Sequence, residues 1–229
     1  MRHVGYEHLR RSLGLTALPP WRVAVVRPVR RVEEVQGELQ MPAGVAPAVD
    51  APIIQHIVFA LRFEGIDLQI LAQVLQHVSE EDVLLLITHA PTSRFARCVG
   101  FLWEGLTNRR LRNPPAVGGN YVDFFDTSQY VTGVRRRNAR WRLDFNGLGT
   151  LRYCATVRRT ADLQGLLDFN ILGRTTEFLD GLSQTMVERT LACAYPCETE
   201  ATHQLEGGGS NEEKARLFSD LLRQPPRFA

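Results

Sequence analysis

The run Ile53-Ile54-Gln55-His56-Ile57-Val58-Phe59-Ala60-Leu61, closed by Gly65, is where this chain turns helical. Ile53, Ile57, Ala60 and Leu61 recur at the spacing of one helix face, and Gly65 supplies a stop. Asp67 then caps a second helix through Leu75, and Ser79 caps a third, with Asp82 placed as in a capping box. Thr92-Ser93 opens a fourth, which carries Phe95, Val99, Leu102 and Trp103 to about Leu106. Four short helices with brief connections predict a small bundle around one core.

On the N-terminal side, Gly5 to Leu15 reads as a short amphipathic helix, with Leu9, Leu13 and Leu15 set among His8, Arg10 and Arg11. Pro19-Pro20 ends it. Trp21 to Val26 and Val32 to Met41 are Val-rich and partly alternating, which predicts a hairpin or two short strands. Pro42 to Pro52 has the composition of a loop.

On the C-terminal side, Pro114-Pro115 and Gly118-Gly119 break the helical pattern. Asn120 to Arg159 mixes aromatic and β-branched residues without a helical period, so short strands or an ordered crossover are expected. Helical spacing returns near Thr160 and runs through Leu163, Leu167, Ile171, Phe178, Leu182, Met186 and Leu191, with a joint near Asp180-Gly181. After Pro196, Cys197 to Glu206 is expected to form a helix stopped by Gly207, and a last helix follows Ser210, with Glu213 completing a capping box. The expected fold is mainly α (α+β). It comprises a helical region with a short hairpin over residues 1–115, a strand-containing connector over 116–160 and a helical region over 161–229.

Composition narrows the class. With 229 residues, 44% hydrophobic, 23% charged, 18 Gly and 12 Pro, the chain is neither collagen-like, nor disordered, nor a disulfide scaffold. The aliphatic run Val83 to Ile87 is too short to span a bilayer, and Met1-Arg2-His3 leads straight into a polar helical pattern rather than a secretory signal. Cys98, Cys154, Cys193 and Cys197 lack CxxC spacing, which predicts reduced thiols and a cytoplasmic location without a membrane partner. The net charge of +2 hides a bias: Lys214 is the only lysine among 27 basic residues. A GC-rich genome explains that bias, and a demand for forked phosphate ligands is the alternative.

Candidate chemistry is sparse. His3, His8, His56, His77, His89 and His203 form neither HExxH nor a His/Cys quartet, so no metal site is expected. His56 sits on an apolar helix and reads as a satisfied core histidine. Cys193 and Cys197 share a helical spacing and read as two small packed side chains. Asn146-Gly147-Leu148-Gly149 reads as a tight turn rather than a phosphate cradle. Arg135, Arg136, Arg137, Arg140 and Arg142 form the densest basic cluster. Internal ion pairs or a solvated loop are one reading, and an anionic partner surface is the other. Within Thr202-His203-Gln204-Leu205-Glu206-Gly207, Thr202 and Glu206 are four apart on one helix face, and Glu206 stands at the last turn, against the helix dipole.

The same residues carry a family resemblance. The chain resembles the region preceding the catalytic core in a bacterial subgroup of Fic family proteins, which transfer AMP from ATP to hydroxyl side chains. The similarity includes Arg2-His3-Val4-Gly5-Tyr6, Gly119-Asn120-Tyr121-Val122-Asp123 and Cys154-Ala155-Thr156-Val157-Arg158-Arg159-Thr160. It continues through Glu198-Thr199-Glu200-Ala201-Thr202, Glu206-Gly207 and Lys214-Ala215-Arg216-Leu217-Phe218. Thr202, Glu206 and Gly207 match the family's inhibitory pattern [Ser/Thr]-x-x-x-Glu-[Gly/Asn]. The catalytic loop His-x-Phe-x-Asp/Glu-Gly-Asn-Gly-Arg is absent, and Asp144-Phe145-Asn146-Gly147 lacks its histidine and arginine.

The resemblance implies a regulatory or antitoxin-like module for a Fic core, in the same longer chain or a separate one. That core uses ATP and magnesium, and this chain holds no cofactor and no catalytic residue of its own. Glu206 is then expected to pair with a phosphate-binding arginine of the core, in the space of the ATP γ-phosphate. The alternative is a nucleic-acid-binding regulator that uses the bundle, the Arg135–Arg142 cluster and a groove-reading helix bearing Arg94 and Arg97.

Overall fold

The computed structural model describes residues 2–186, 188–190 and 193–194. The chain divides into two compact units, Met1–Arg159 and Thr160–Ala229. The architecture is α+β and mainly helical, as the periodicity predicts.

The first unit opens with β1 (Arg2–His3) and α1 (Gly5–Ser12), followed by β2 (Val23–Val26), β3 (Glu33–Val35) and β4 (Glu38–Met41). The expected hairpin exists, but it lies entirely within Val32 to Met41. β3 and β4 pair antiparallel around Gln36-Gly37, two residues with positive φ of 51° and 80°. β2 joins β4 in parallel, with Val23 opposite Glu38, and β1 completes a four-stranded sheet in the order β1-β2-β4-β3. Val4, Ala24, Leu39 and Met41 of this region pack on Phe59 as a small satellite core.

The bundle follows: α2 (Ile53–Phe63), α3 (Leu68–Val74), a single 3₁₀ turn (Leu75–His77), α4 (Glu80–His89) and α5 (Arg94–Thr107). The three caps read from the sequence are made. Asp67, Ser79 and Ser93 each accept from the amide three residues on, at Ile70, Asp82 and Ala96. The main core gathers Ile57, Leu71, Val83, Ile87, Val99 and Trp103, and the Trp103 indole N–H donates to the Val78 carbonyl at 3.0 Å.

The stretch expected as a connector lies within the first unit. It carries β5 (Val122–Asp123), β6 (Arg136–Asn138), β7 (Leu143–Phe145), β8 (Leu148–Thr150) and β9 (Tyr153–Ala155). Phe124, Phe125, Tyr130, Trp141, Leu143 and Phe145 belong to the same core as the bundle. Their apolar bulk, spread over short strands and turns, completes the bundle rather than bridging two bodies.

In the second unit, Thr160 caps α6 (Ala161–Asp168), and Asn170, at φ 47°, caps α7 (Ile171–Asp180). α7 ends at Asp180 with Gly181 as its C-cap, where the joint was expected, and Asn170 adds an earlier break. Neither helix buries a residue, and Leu166, Phe169, Leu172 and Phe178 are exposed.

Candidate functional site

Thr202, Glu206 and Gly207, the residues with the sharpest expected role, lie outside the described residues, as do Cys197 and the helix expected after Ser210. Cys193 is described and exposed.

The arginine cluster is described in full. Arg135 donates to Asp123 at 2.7 Å, and Arg137 grips Asp144 through two bonds of 3.0 and 3.3 Å while lying over the Tyr121 ring. Arg140 holds both oxygens of Glu104, at 3.0 and 2.8 Å, and also the Leu111 carbonyl. Arg142 donates to the Gly119 carbonyl at 2.7 Å, and Arg136 is exposed. Of the two readings of this cluster, internal pairing accounts for Arg135, Arg137 and Arg140.

The proposed groove-reading arginines turn inward. Arg94 donates to the Asp123 and Phe124 carbonyls, both at 3.2 Å. Arg97 is 3% exposed and donates to the carbonyls of Asn120 and Arg142, at 2.9 and 3.0 Å. Both side chains hold the 119–124 segment against α5, so neither is presented for a base edge. The Asn146-Gly147-Leu148-Gly149 stretch is likewise structural. The Asn146 amide exchanges two hydrogen bonds with the Phe125 backbone, and Gly149, at φ 109°, belongs to the β8–β9 hairpin.

A polar knot that the sequence did not announce forms where α1 meets the end of α2. Helix N-termini leave amides without intrahelical partners. Here the Gly5 amide donates to His56 Nδ1 at 3.2 Å, and the Tyr6 amide donates to Glu64 Oε1 at 3.0 Å. Two side chains of α2 and its cap thus serve as the N-cap of α1. Gly5 has φ 63°, and a Cβ there would overlap Glu64 Oε1, so the position requires glycine. The Tyr6 hydroxyl donates to the Gly65 carbonyl, the Ile66 amide donates to the Tyr130 hydroxyl, and Arg158 donates to the Glu64 carbonyl.

Burial dominates the electrostatics of this knot. It pushes the Glu64 carboxyl up to about 8; the neighbouring Asp67 and Glu7 charges add to the rise, and the Tyr6 amide opposes it. Burial takes His56 down to about 4, with His8, stacked on it at 4.0 Å, acting in the same direction. Because Nδ1 of His56 accepts a bond, the neutral ring carries its proton on Nε2, which finds no protein partner; neither does Glu64 Oε2. Among the described residues, no group of three or more His, Cys, Asp or Glu is placed to hold a metal ion. His56 is buried in the core as expected, but only its Nδ1 is satisfied, by the backbone of α1.

The remaining candidate is an open cleft of about 460 Å³ between α3, the end of α5 and the β8–β9 turn. Its apolar walls include Leu68, Ala72, Leu106 and Leu151, and Gln69, Asn108 and Arg152 contribute polar groups.

No family model, no curated protein and no solved structure matches the chain. No helix among the described residues is long and apolar enough to cross a membrane.

The residues that sequence reading missed have a common cause. Glu64 ends an apolar helix directly before Gly65, and that placement was the one signal available; Tyr6, Tyr130 and Arg158 meet it from distant segments.

Proposed function

We propose that this chain is a cytoplasmic regulatory, antitoxin-like module that restrains a Fic AMP-transferase core. The observation that carries the reading is the pattern Thr202-x-x-x-Glu206-Gly207, set among segments that resemble the region preceding such a core. In this reading the Glu206 carboxylate binds an arginine that the core needs for the ATP phosphates. One guanidinium cannot serve carboxylate and triphosphate at once. Thr202 fixes the helix, and Gly207 lets the chain turn away. The exposed apolar residues of α6 and α7, which precede the pattern, are in keeping with a module that docks on a larger partner.

The nucleic-acid alternative is the weaker reading, because Arg135, Arg137 and Arg140 already have acidic partners and Arg94 and Arg97 bind backbone.

The test is AMP transfer by a cognate Fic core with labelled ATP and magnesium, with and without this chain bound. Labelling of the target protein is expected to fall when the chain is present. Equal labelling with the chain bound would refute the proposal.

A further inference from the structure

Ligand cavities for small molecules are largely apolar concavities of about 300–1,000 Å³ with a few convergent polar groups. The cleft between α3, α5 and the β8–β9 turn has that size, about 460 Å³, but it is open and its lining is divided evenly between apolar and polar surface, which suits an amphipathic molecule. We infer that it binds a small amphipathic monoanion: a carboxylate carried on an apolar chain. The inference concerns the first unit alone and does not depend on the reading of Glu206.

The apolar half of the argument is the wall. Leu68 and Ala72 of α3 face Leu106 of α5, and Leu151 closes the side. Leu151 sits directly on the helix backbone, because Gly105 has no side chain: a Cβ there would overlap the Leu151 methyl. Gly105 thus lets the Leu151 side chain close on α5.

The polar half is the rim. Arg152 donates to Asn108 Oδ1 at 2.8 Å, which orients the Asn108 amide and leaves its NH₂ and the other guanidinium N–H groups available. Asn108 is held at the end of α5 in the left-handed conformation, φ 56°. Gln69 supplies a further amide from α3. The lining contains one cation and no acid, so its charge complements a single negative charge. The negative end of the α5 dipole opposes an anion here, and two of its carbonyls are already occupied. Gln76 Nε2 donates to the Leu106 carbonyl, and the Thr107 hydroxyl donates to that of Trp103.

The experiment is an NMR titration of the full chain with octanoate, 1-octanol and octylammonium, which share a tail and differ in charge. Octanoate is expected to bind saturably, with the Leu68, Leu106 and Leu151 methyl resonances shifting, and the other two probes at least about tenfold more weakly. Arg152→Gln, at an exposed turn residue remote from the core, should bring octanoate down to the level of octanol and leave octanol unchanged. Ala72→Leu should weaken every probe by filling the cleft. Absence of saturation, equal binding of octanoate and octanol, an unaffected Arg152→Gln variant, or shifts elsewhere in the first unit would each overturn the inference.

Discussion

Glu64 is the residue on which the first unit's behaviour with pH turns. Its carboxyl titrates near 8 in the folded chain, against an ordinary value of 4.5, so between those limits the folded state holds a proton that the unfolded state has released. Its contribution is complete below about 4.5 and is lost as pH rises to about 8. His56 runs the other way: with its folded value near 4 against an ordinary 6.5, stability is gained as pH rises from 4 to 6.5. Asp67, also raised by burial, and Glu7, lowered chiefly by its bond from Arg10, act towards the acid side. Tyr6, raised by burial, acts above pH 10. Below about 6.5 the Glu64 fall is opposed by the gains at His56 and at the stacked His8, which burial also lowers, and above it the Glu64 fall prevails. Denaturant unfolding should therefore show stability that does not fall up to pH 6.5 and then falls by about 1 kcal/mol per pH unit to pH 8. Glu64→Gln should abolish that fall. A level wild-type profile between 6.5 and 8 would refute the assignment.

At the scale of elements, α5 joins the bundle to the strands that follow. Gly100 leaves room for the Trp141 ring, which a Cβ would overlap. Glu104, one turn on, accepts from the Trp141 indole at 2.9 Å, from the Leu111 amide at 3.0 Å and from Arg140. Glu104→Ala would strand the buried indole N–H and leave Arg140 without its carboxylate, at a cost of about 3 kcal/mol. Glu104→Gln keeps one acceptor and should cost about half as much. Chemical denaturation followed by tryptophan fluorescence separates the two; equal stability of the alanine variant and the wild type would contradict this role for α5.

Helices α2 to α5 were legible because their apolar period and their caps Asp67, Ser79 and Ser93 are local features. The parallel pairing of β2 with β4 was not, since strands of four residues carry no record of their neighbours. The acidic partners of Arg135 and Arg137 lie 12 and 7 residues away, close enough for internal pairing to be one of the two readings. The carbonyl partners of Arg94 and Arg97 left no trace, because a backbone acceptor is present at every residue.

For the whole molecule, the first unit is a closed, internally paired body, and the second carries apolar helices and the Thr202-x-x-x-Glu206-Gly207 pattern. The central claim is that Glu206 denies a core its phosphate-binding arginine. The direct measurement is the rate of AMP transfer by a cognate Fic core with this chain bound, comparing wild type, Glu206→Gly and, as a nearby acidic control, Glu200→Gly. Losing a charge-assisted bond of roughly 1.5–3 kcal/mol shifts the competition about ten- to a hundredfold towards ATP. Glu206→Gly should raise AMP transfer by that factor, while Glu200→Gly leaves it at the wild-type rate. An unchanged rate with Glu206→Gly, in a chain shown to remain folded and bound, would contradict the inhibitory role of this glutamate.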